Sequence, residues 1–373
     1  MNKTKIIVAC VLTVALVAAI VFYMQSPQPP KRPQEPKQPY AYSSEEVKIS
    51  NDSANVTLSG TLTLPKGKGN FPAVVLITGS GPQDRNEEVF GHKIFLVISD
   101  YLTNNGIAVL RYDDRGVGKS TGNFKTATTH DFSNDAESAV AYLKTRKEIN
   151  KDKIGLVGHS EGGIIAPMVS TRSGDIAFMV LLAAPGMEAK KLLLLQDELI
   201  ARSFGVSEPE IRKLLAINKG AYKMVSESGD LKLLKADLTE YAKKRTVLEV
   251  PKELLPPNMS KEQMIASQIE NLSSPWFQYL IKYDLVHTLE KVTCPVLALN
   301  GEKDLQVPPR ENLAGIKQAI NRGGNDQVTI KELANLNHFF QESETGSPKE
   351  YAVIEQTFSP LALEEMTRWI LER

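Results

Sequence analysis

The sequence predicts an α/β domain with a mostly parallel central sheet, helices on both faces and an inserted helical cap. Buried strands rich in β-branched residues alternate with amphipathic helices along most of the chain, as in βαβ units. The alternation stops over residues 188–290, where leucines and charged residues recur at helical spacing. We therefore expect a core formed by residues 41–187 and 291–373, with the cap inserted between them.

Two alternating stretches, Glu46–Ser50 and Ala54–Leu64, predict an N-terminal hairpin. The core strands that follow are continuous apolar runs, typical of strands buried on both faces. They are predicted at Ala73–Ile77, Ile107–Tyr112, Lys153–Val157, Ala177–Leu182, Val296–Leu299 and Gln327–Glu332. Helices are predicted at Phe90–Asn104 and Phe132–Arg146, after Gly162, and at Arg310–Asn321 and Pro360–Glu372.

The composition is that of a globular protein, because 42% of the 373 residues are hydrophobic and 24% are charged. A formal net charge of zero provides no basic face for nucleic acid, so a small, roughly uncharged ligand is the expected partner. Cys10 and Cys294 lie in an apolar run and at a strand start, which argues against a structural disulfide. No metal or organic cofactor is expected, and the oligomeric state stays open.

The N-terminus, residues 1–25, reads as a membrane anchor. Lys3 and Lys5 precede an uncharged apolar run over Ile6–Met24 that nearly matches the thickness of a bilayer core. The preceding lysines predict that the rest of the chain lies outside the cytoplasmic membrane, in the periplasm or beyond. A cleaved signal peptide is the alternative, and a lipoprotein-type signal at Cys10 is a weaker one.

A proline-rich linker is expected over residues 26–40. The segment Ser26–Gln38 has almost no apolar side chain to bury, and its prolines favour an extended conformation. We expect an exposed spacer that holds the folded domain away from the membrane.

The run Gly158-His159-Ser160-Glu161-Gly162 fits the Gly-x-Ser-x-Gly pattern of a nucleophilic serine. Glycines flank the serine because the sharp strand-to-helix turn leaves no space for side chains. A predicted strand runs into the motif and a helix follows it, which favours a catalytic serine over a bystander in an ordinary turn. Ser160 is therefore the predicted nucleophile.

A serine hydroxyl needs a base within hydrogen-bond reach, and the chain has five histidines. His338 follows the last predicted strand, in a loop that returns to the nucleophile edge of the sheet, so we predict that it is the base. Structural roles are expected for the other four, which are His92, His130, His159 and His287.

The base needs an acid that holds its tautomer, in the chain order serine, acid, histidine. Asp304 meets this requirement, because it follows the strand that breaks at Gly301 and precedes His338. Glu302 in the same turn is the rival. The predicted oxyanion-hole donors are the backbone N–H groups of Glu161 and Ser80, with Gly79 or Gly81 as alternatives to Ser80.

Four separated motifs, in this order, resemble bacterial carboxylesterases of the EstD type. They are Thr78–Glu87, Leu110–Ser120, the serine motif and Leu299–Pro308. The resemblance implies an α/β-hydrolase fold with a helical cap, and esterase activity on short acyl esters carried by Ser160, Asp304 and His338. Asn86 stands where such relatives are expected to have an aspartate.

The charged residues of these motifs have no obvious step in acyl transfer. The loop that carries Ser80 is called the oxyanion loop below. We expect Asp84, Arg85 and Arg115, with the adjoining Asp113 and Asp114, to support this loop through ion pairs and turn hydrogen bonds. Gly79, Gly81, Gly158 and Gly162 are expected to allow close approach of the backbone.

The predicted function is that of a serine carboxylesterase acting through an acyl-enzyme on Ser160. A peptidase or thioesterase with the same catalytic groups is the enzymatic alternative. A membrane-anchored binding protein without catalytic activity is the alternative from another class.

Overall fold

The computed structural model describes residues 31–245, 251–255 and 259–373. The predicted anchor, residues 1–25, and the first residues of the linker lie outside this part of the chain. Among the residues described, no helix combines the length and the apolar character that crossing a bilayer requires.

Eight strands form the central sheet in the order β1-β2-β6-β3-β7-β8-β9-β10. The first two form an antiparallel hairpin that joins the sheet through antiparallel pairing of β2 with β6, and all other pairs are parallel. The two shortest strands, β4 and β5, form a separate small hairpin. The strands are β1 (Ser43–Asn51), β2 (Val56–Leu64), β3 (Phe71–Ile77), β4 (Glu88–Val89), β5 (His92–Lys93), β6 (Ala108–Tyr112), β7 (Ile149–His159), β8 (Phe178–Leu182), β9 (Val296–Gly301) and β10 (Val328–Leu333).

Helices cover both faces of this sheet. Successive side chains of a strand point to opposite faces, and in β3 the pair Val75 and Ile77 packs in one apolar layer while Val74 and Leu76 pack in the other. The helices are α1 (Ile94–Asn104), α2 (Thr129–Thr145), α3 (Gly162–Ser170), α4 (Ala189–Ser203), α5 (Glu208–Glu227), α6 (Leu231–Arg245), α7 (Lys261–Leu272), α8 (Pro275–Lys282), α9 (Leu285–Leu289), α10 (Pro309–Arg322), α11 (Pro348–Tyr351) and α12 (Pro360–Leu371). Short 3₁₀ turns lie at Asp52–Ala54, Phe124–Thr126 and Lys252–Leu254.

Between β8 and β9, the described residues contain helices α4 to α9, at the position predicted for the cap. Its own apolar cluster includes Tyr222, Val225, Leu238 and Phe277, all of them buried. The cap therefore has an interior of its own and is not a set of helices laid singly on the sheet.

The helix predicted from Phe90 begins later, at Ile94, because the hairpin of β4 and β5 occupies the preceding residues. Phe90 and Gly91 form the turn of this hairpin, with positive φ angles of 54° and 75°. A helix cannot pass through two left-handed residues. The helix predicted from the apolar spacing therefore began too far toward the N-terminus.

The linker predicted over residues 26–40 is not a free spacer in its described part, which begins at residue 31. Arg32 donates hydrogen bonds to Phe90 O at 2.8 Å and to Ile354 O at 2.7 Å. Gln34 donates to Phe358 O at 2.7 Å, and Glu35 forms an ion pair with Lys93. The absence of apolar residues suggested exposure, but polar side chains attach this segment to main-chain groups of the core. The described residues of the segment are thus attached to the core, and the linker boundaries stay a prediction.

Replacement of Arg32 by alanine should lower the free energy of unfolding of the full chain by about 1–3 kcal/mol, since several main-chain carbonyls lose a charged donor. Chemical denaturation in detergent measures this difference. Lys37→Ala is the matched control, because it removes an exposed cation from the same segment. Equal effects of the two substitutions would contradict docking through Arg32.

Candidate active site

Ser160 occupies the sharp turn between β7 and α3. Its φ of 52° is left-handed, which is costly for a residue with a side chain. A Cβ atom on Gly158 would lie 2.1 Å from Gly162 O, and one on Gly162 would lie 2.2 Å from Ile77 O. Glycine is therefore required on both sides, and the turn places Ser160 at the carboxyl end of the sheet.

Asp304 and His338 meet at the same end of the sheet, after β9 and β10 respectively. His338 Nδ1 lies 2.8 Å from Asp304 Oδ2, and both residues are buried. The other carboxylate oxygen, Asp304 Oδ1, accepts the backbone N–H groups of Gln306 and Val307 at 2.8 and 2.9 Å. An ionised carboxylate only accepts hydrogen bonds, so the proton of the neutral imidazole is on Nδ1 and Nε2 is free to act as a base.

The rival acid, Glu302, is exposed, and its Oε2 accepts the backbone N–H of Asn335 at 2.8 Å. It braces the turn and does not reach the histidine. No hydrogen bond joins Ser160 Oγ to His338 among those of the described residues. Such catalytic hydrogen bonds are often long in free enzymes and tighten when substrate binds.

Ser80 and Glu161, the predicted oxyanion donors, line one cavity together with Ser160. In the described part of the chain, neither of their backbone N–H groups has a protein acceptor. The N–H of Gly79 is engaged, because it donates to Glu87 Oε1 at 2.7 Å. The geometry therefore favours Ser80 over Gly79. Gly81 has a φ of 100° in the same loop, a conformation that favours glycine.

Arg85 and Asp113 form a two-pronged ion pair, with Nε–Oδ1 and Nη2–Oδ2 distances of 2.9 Å. Burial raises the pKa of Asp113, but hydrogen bonds from Arg85 outweigh this effect and hold the pKa below its ordinary value. The next residue, Asp114, accepts from Thr78 Oγ1 and from the backbone N–H of Gln83, both at 3.0 Å. These contacts join the oxyanion loop to the end of β6.

The other charged residues of the motifs act elsewhere. Arg115 binds Asp135 and Asp131 on α2, with Nε 2.6 Å from Asp135 Oδ2, so it holds a helix and not the oxyanion loop. Asp84 Oδ1 accepts the backbone N–H groups of Asn86 and Glu88, each at 3.1 Å, which closes its own loop. Asn86 accepts a hydrogen bond from the buried Arg111, whose pKa burial lowers to about 10.

A cavity of about 80 Å³ lies between cap and core and reaches Ser160. Its walls are mostly apolar. The cap supplies Leu192, Leu193, Leu280, Tyr283 and Leu285, and the core supplies Ile164 and Val307. The few polar side chains include Gln196 and Gln306.

The carboxyl group of Glu161 links cap and core, a role that the sequence did not indicate. Glu161 Oε1 accepts hydrogen bonds from Trp276 Nε1 on α8 at 2.7 Å and from Thr129 Oγ1 on α2 at 2.8 Å. Burial raises the pKa of this carboxyl group, while hydrogen bonds from Trp276, Thr129 and Ser80 act in the opposite direction. Trp276 lies in a segment whose sequence pattern only indicates a helix, so nothing in it signalled this contact.

The histidines expected to be structural lie in four different settings. Burial lowers the pKa of His92 to about 4, and its ring contacts Thr357 and the carbonyl of Tyr351. His130 lies in the first turn of α2 with its ring near Tyr279, and His287 is exposed on α9. His159 is buried, and its Nδ1 lies 2.9 Å from Glu87 Oε1.

Comparison with known proteins finds hydrolases that are similar to this chain. Residues 93–248 match the family model described as serine aminopeptidase, S33. The chain is 24% identical to Esterase EstD of Thermotoga maritima over 352 residues, which cover 94% of this chain and 73% of that protein.

Solved structures share the fold. Esterase Pf2001 of Pyrococcus furiosus superposes with a TM-score of 0.52 at 14% identity, covering 89% of this chain and 90% of that one. The hypothetical protein PA2218 of Pseudomonas aeruginosa also gives a TM-score of 0.52 at 14% identity, with 91% and 96% covered. The predicted α/β-hydrolase fold and the resemblance to EstD-type carboxylesterases are confirmed.

Replacement of Arg85 by alanine should lower the free energy of unfolding at neutral pH by about 3–5 kcal/mol, because Asp113 keeps a buried, unpaired charge. The depressed pKa of Asp113 contributes stability above about pH 4, the ordinary value, and this contribution is lost as the pH falls through the folded-state value. The difference between wild type and variant should therefore narrow below pH 4.

Denaturation curves at several pH values measure both effects. The control is Arg212→Ala, which removes an exposed guanidinium from cap helix α5 and should leave the midpoint unchanged. A difference between Arg85→Ala and wild type that stays constant from pH 7 to pH 3 would refute the pairing argument.

Proposed function

We propose that this α/β-hydrolase is a serine esterase that cleaves carboxylic esters with short acyl chains through an acyl-enzyme on Ser160. The observation that carries the proposal is the buried Asp304–His338 pair, 2.8 Å between Oδ2 and Nδ1, at the same end of the sheet as Ser160. A hydrogen-bonded acid and histidine are what a neutral serine hydroxyl needs to become a nucleophile.

In the proposed reaction, Ser160 Oγ attacks the ester carbonyl carbon while His338 Nε2 takes the hydroxyl proton. Asp304 holds the imidazole in the required tautomer and stabilises the imidazolium that forms. The carbonyl oxygen becomes an oxyanion, which accepts hydrogen bonds from the backbone N–H groups of Ser80 and Glu161. His338 then gives its proton to the leaving alcohol, and water hydrolyses the acyl-enzyme with the same groups.

The cavity supports short, uncharged acyl groups as substrates. A cavity of about 150 Å³ holds a benzene molecule, and the present cavity, at about 80 Å³, is smaller. Its leucine-rich wall favours an apolar group over a charged one. Relatives whose names state esterase activity are consistent with this choice.

Amide hydrolysis is the second candidate, because the matching family model is described as a serine aminopeptidase. The same catalytic groups attack esters, thioesters and amides, so the bond preference depends on the cavity. A panel of p-nitrophenyl acetate, butyrate and octanoate, an acyl thioester and amino-acid p-nitroanilides separates these activities. We expect turnover of acetate and butyrate to exceed that of octanoate and of every anilide.

Replacement of Ser160 by alanine should lower kcat/KM for p-nitrophenyl butyrate by at least about 10⁴-fold, since the nucleophile is lost. A fluorophosphonate probe should label the wild-type protein on Ser160 and leave the variant unlabelled, as read by peptide mass spectrometry. Ser170→Ala, at the last residue of α3, is the control and should keep both properties. Labelling that persists in Ser160→Ala would refute the assignment, as would an unreactive wild-type protein.

The proposed location is the outer side of the cytoplasmic membrane, with the predicted N-terminal anchor holding the domain there. The full chain should sediment with membranes, and protease added to spheroplasts should digest the catalytic domain. A variant that lacks residues 1–30 should leave the membrane fraction. A mature chain whose first residue lies shortly after Met24 would instead establish the alternative of a cleaved signal peptide.

A further inference from the structure

Next to Ser160 and His338 lies a second carboxyl–histidine pair that the proposed reaction does not use. Glu87 follows the oxyanion loop, and His159 is the last residue of β7, directly before Ser160. Glu87 is 1% exposed and His159 is 2% exposed. Their contact atoms, Glu87 Oε1 and His159 Nδ1, are 2.9 Å apart.

This pair touches three of the segments that form the candidate active site. Glu87 Oε1 also accepts the backbone N–H of Gly79, at 2.7 Å, in the oxyanion loop. On its other side, His159 Nε2 lies 3.1 Å from the main-chain carbonyl oxygen of His338. One chain of contacts therefore runs from the oxyanion loop through the serine turn to the loop of the general base.

The contacts determine where the protons are. The carbonyl of His338 can only accept, so His159 Nε2 carries a proton. An ionised Glu87 also only accepts, so Nδ1 carries a second proton and the ring is an imidazolium. Burial lowers the pKa of His159, but the charge and hydrogen bond of Glu87 outweigh it and raise the pKa.

The charge of Glu87 in turn depends on this cation. Its Oε2 has no hydrogen-bond partner among the described residues, and its Oε1 has only His159 and Gly79. A buried carboxylate with one unsatisfied oxygen is costly unless a cation lies beside it. The imidazolium of His159 is the cation that lies beside Glu87.

We propose that Glu87 and His159 form a buried ion pair that positions the oxyanion loop and the His338 loop relative to Ser160. They are positioning residues, because they act through Gly79 and through the backbone of His338. The inference rests on the proposed function for its effect on catalysis, whereas the ion pair itself does not depend on it.

The side chains of the two histidines are also neighbours. The ring centroids of His159 and His338 are 5.0 Å apart. His338 is held on its other side by Asp304, through the contact between Nδ1 and Oδ2.

Glu87→Gln tests the proposal, because the amide has nearly the same shape and no charge. A neutral His159 that donates from Nε2 has no proton on Nδ1, so Nδ1 then needs a donor. The backbone N–H of Gly79 needs an acceptor. The one side-chain atom of residue 87 that faces both groups cannot be donor and acceptor at once. We expect kcat for p-nitrophenyl butyrate to fall roughly 10- to 100-fold with KM nearly unchanged.

The double variant Glu87→Gln/His159→Gln shows whether the two residues act as a unit. If they do, it loses little more activity than either single variant. His92→Gln is the control, since it changes a buried histidine that contacts neither Gly79 nor His338. It should lower stability while kcat stays near the wild-type value. A folded Glu87→Gln with the wild-type kcat would overturn the proposal.

A measurement on the unmodified full chain does not depend on whether the variants fold. Nitrogen-15 NMR of histidine-labelled protein, with His159 assigned, should show both ring nitrogens protonated at pH 7. A neutral His159 ring at pH 7 would overturn the ion pair. This measurement does not depend on enzymatic activity. If the Ser160→Ala experiment refuted the esterase assignment, the conclusion about the ion pair would still hold.

Discussion

The left-handed backbone at Ser160 is the constraint on which the rest of the site depends. It is tolerated because the flanking glycines let the turn approach the backbone at Ile77 and at Gly162. The same turn places the N-terminus of α3 beside the serine, where helix N–H groups favour negative charge. The candidate nucleophile and a candidate oxyanion donor therefore lie in one strained turn, which β7 holds on one side and α3 on the other.

Buried carboxyl groups connect this turn to its surroundings. Asp304 binds the backbone of its own turn and His338, Glu87 binds Gly79 and His159, and Glu161 binds Trp276 and Thr129. Each one joins segments that are distant in the sequence. Loops at the end of a sheet lack the ladder hydrogen bonds of the strands, so other contacts must fix their conformation. Carboxylates that accept hydrogen bonds from fixed donors provide such contacts.

The sequence predicted most of the fold, because a continuous β-branched run such as Ala73–Ile77 has one stable place, the middle of a covered sheet. Ser160, Asp304 and His338 could be proposed because their motifs follow strand ends in a fixed order. The contacts between the motifs could not be predicted from the sequence. In the sequence, nothing connects His159 with Glu87, and only the structure shows that they are in contact. The residues before α1 continue its apolar spacing, so the sequence did not indicate the hairpin turn at Phe90.

The N-terminal segment shows how polar residues mislead a prediction based on burial. A segment without apolar side chains has no hydrophobic reason to pack, yet Arg32 reaches the carbonyls of Phe90 and Ile354. That hairpin turn begins three residues after Glu87, and the second acceptor lies beyond α11, in the segment that follows the His338 loop. Arg32 thus connects the residues that follow Glu87 with those that follow the His338 loop. Glu87 and His159 connect the same two parts of the chain close to Ser160. In the described part of the chain, this segment is therefore in contact with the domain that contains Ser160.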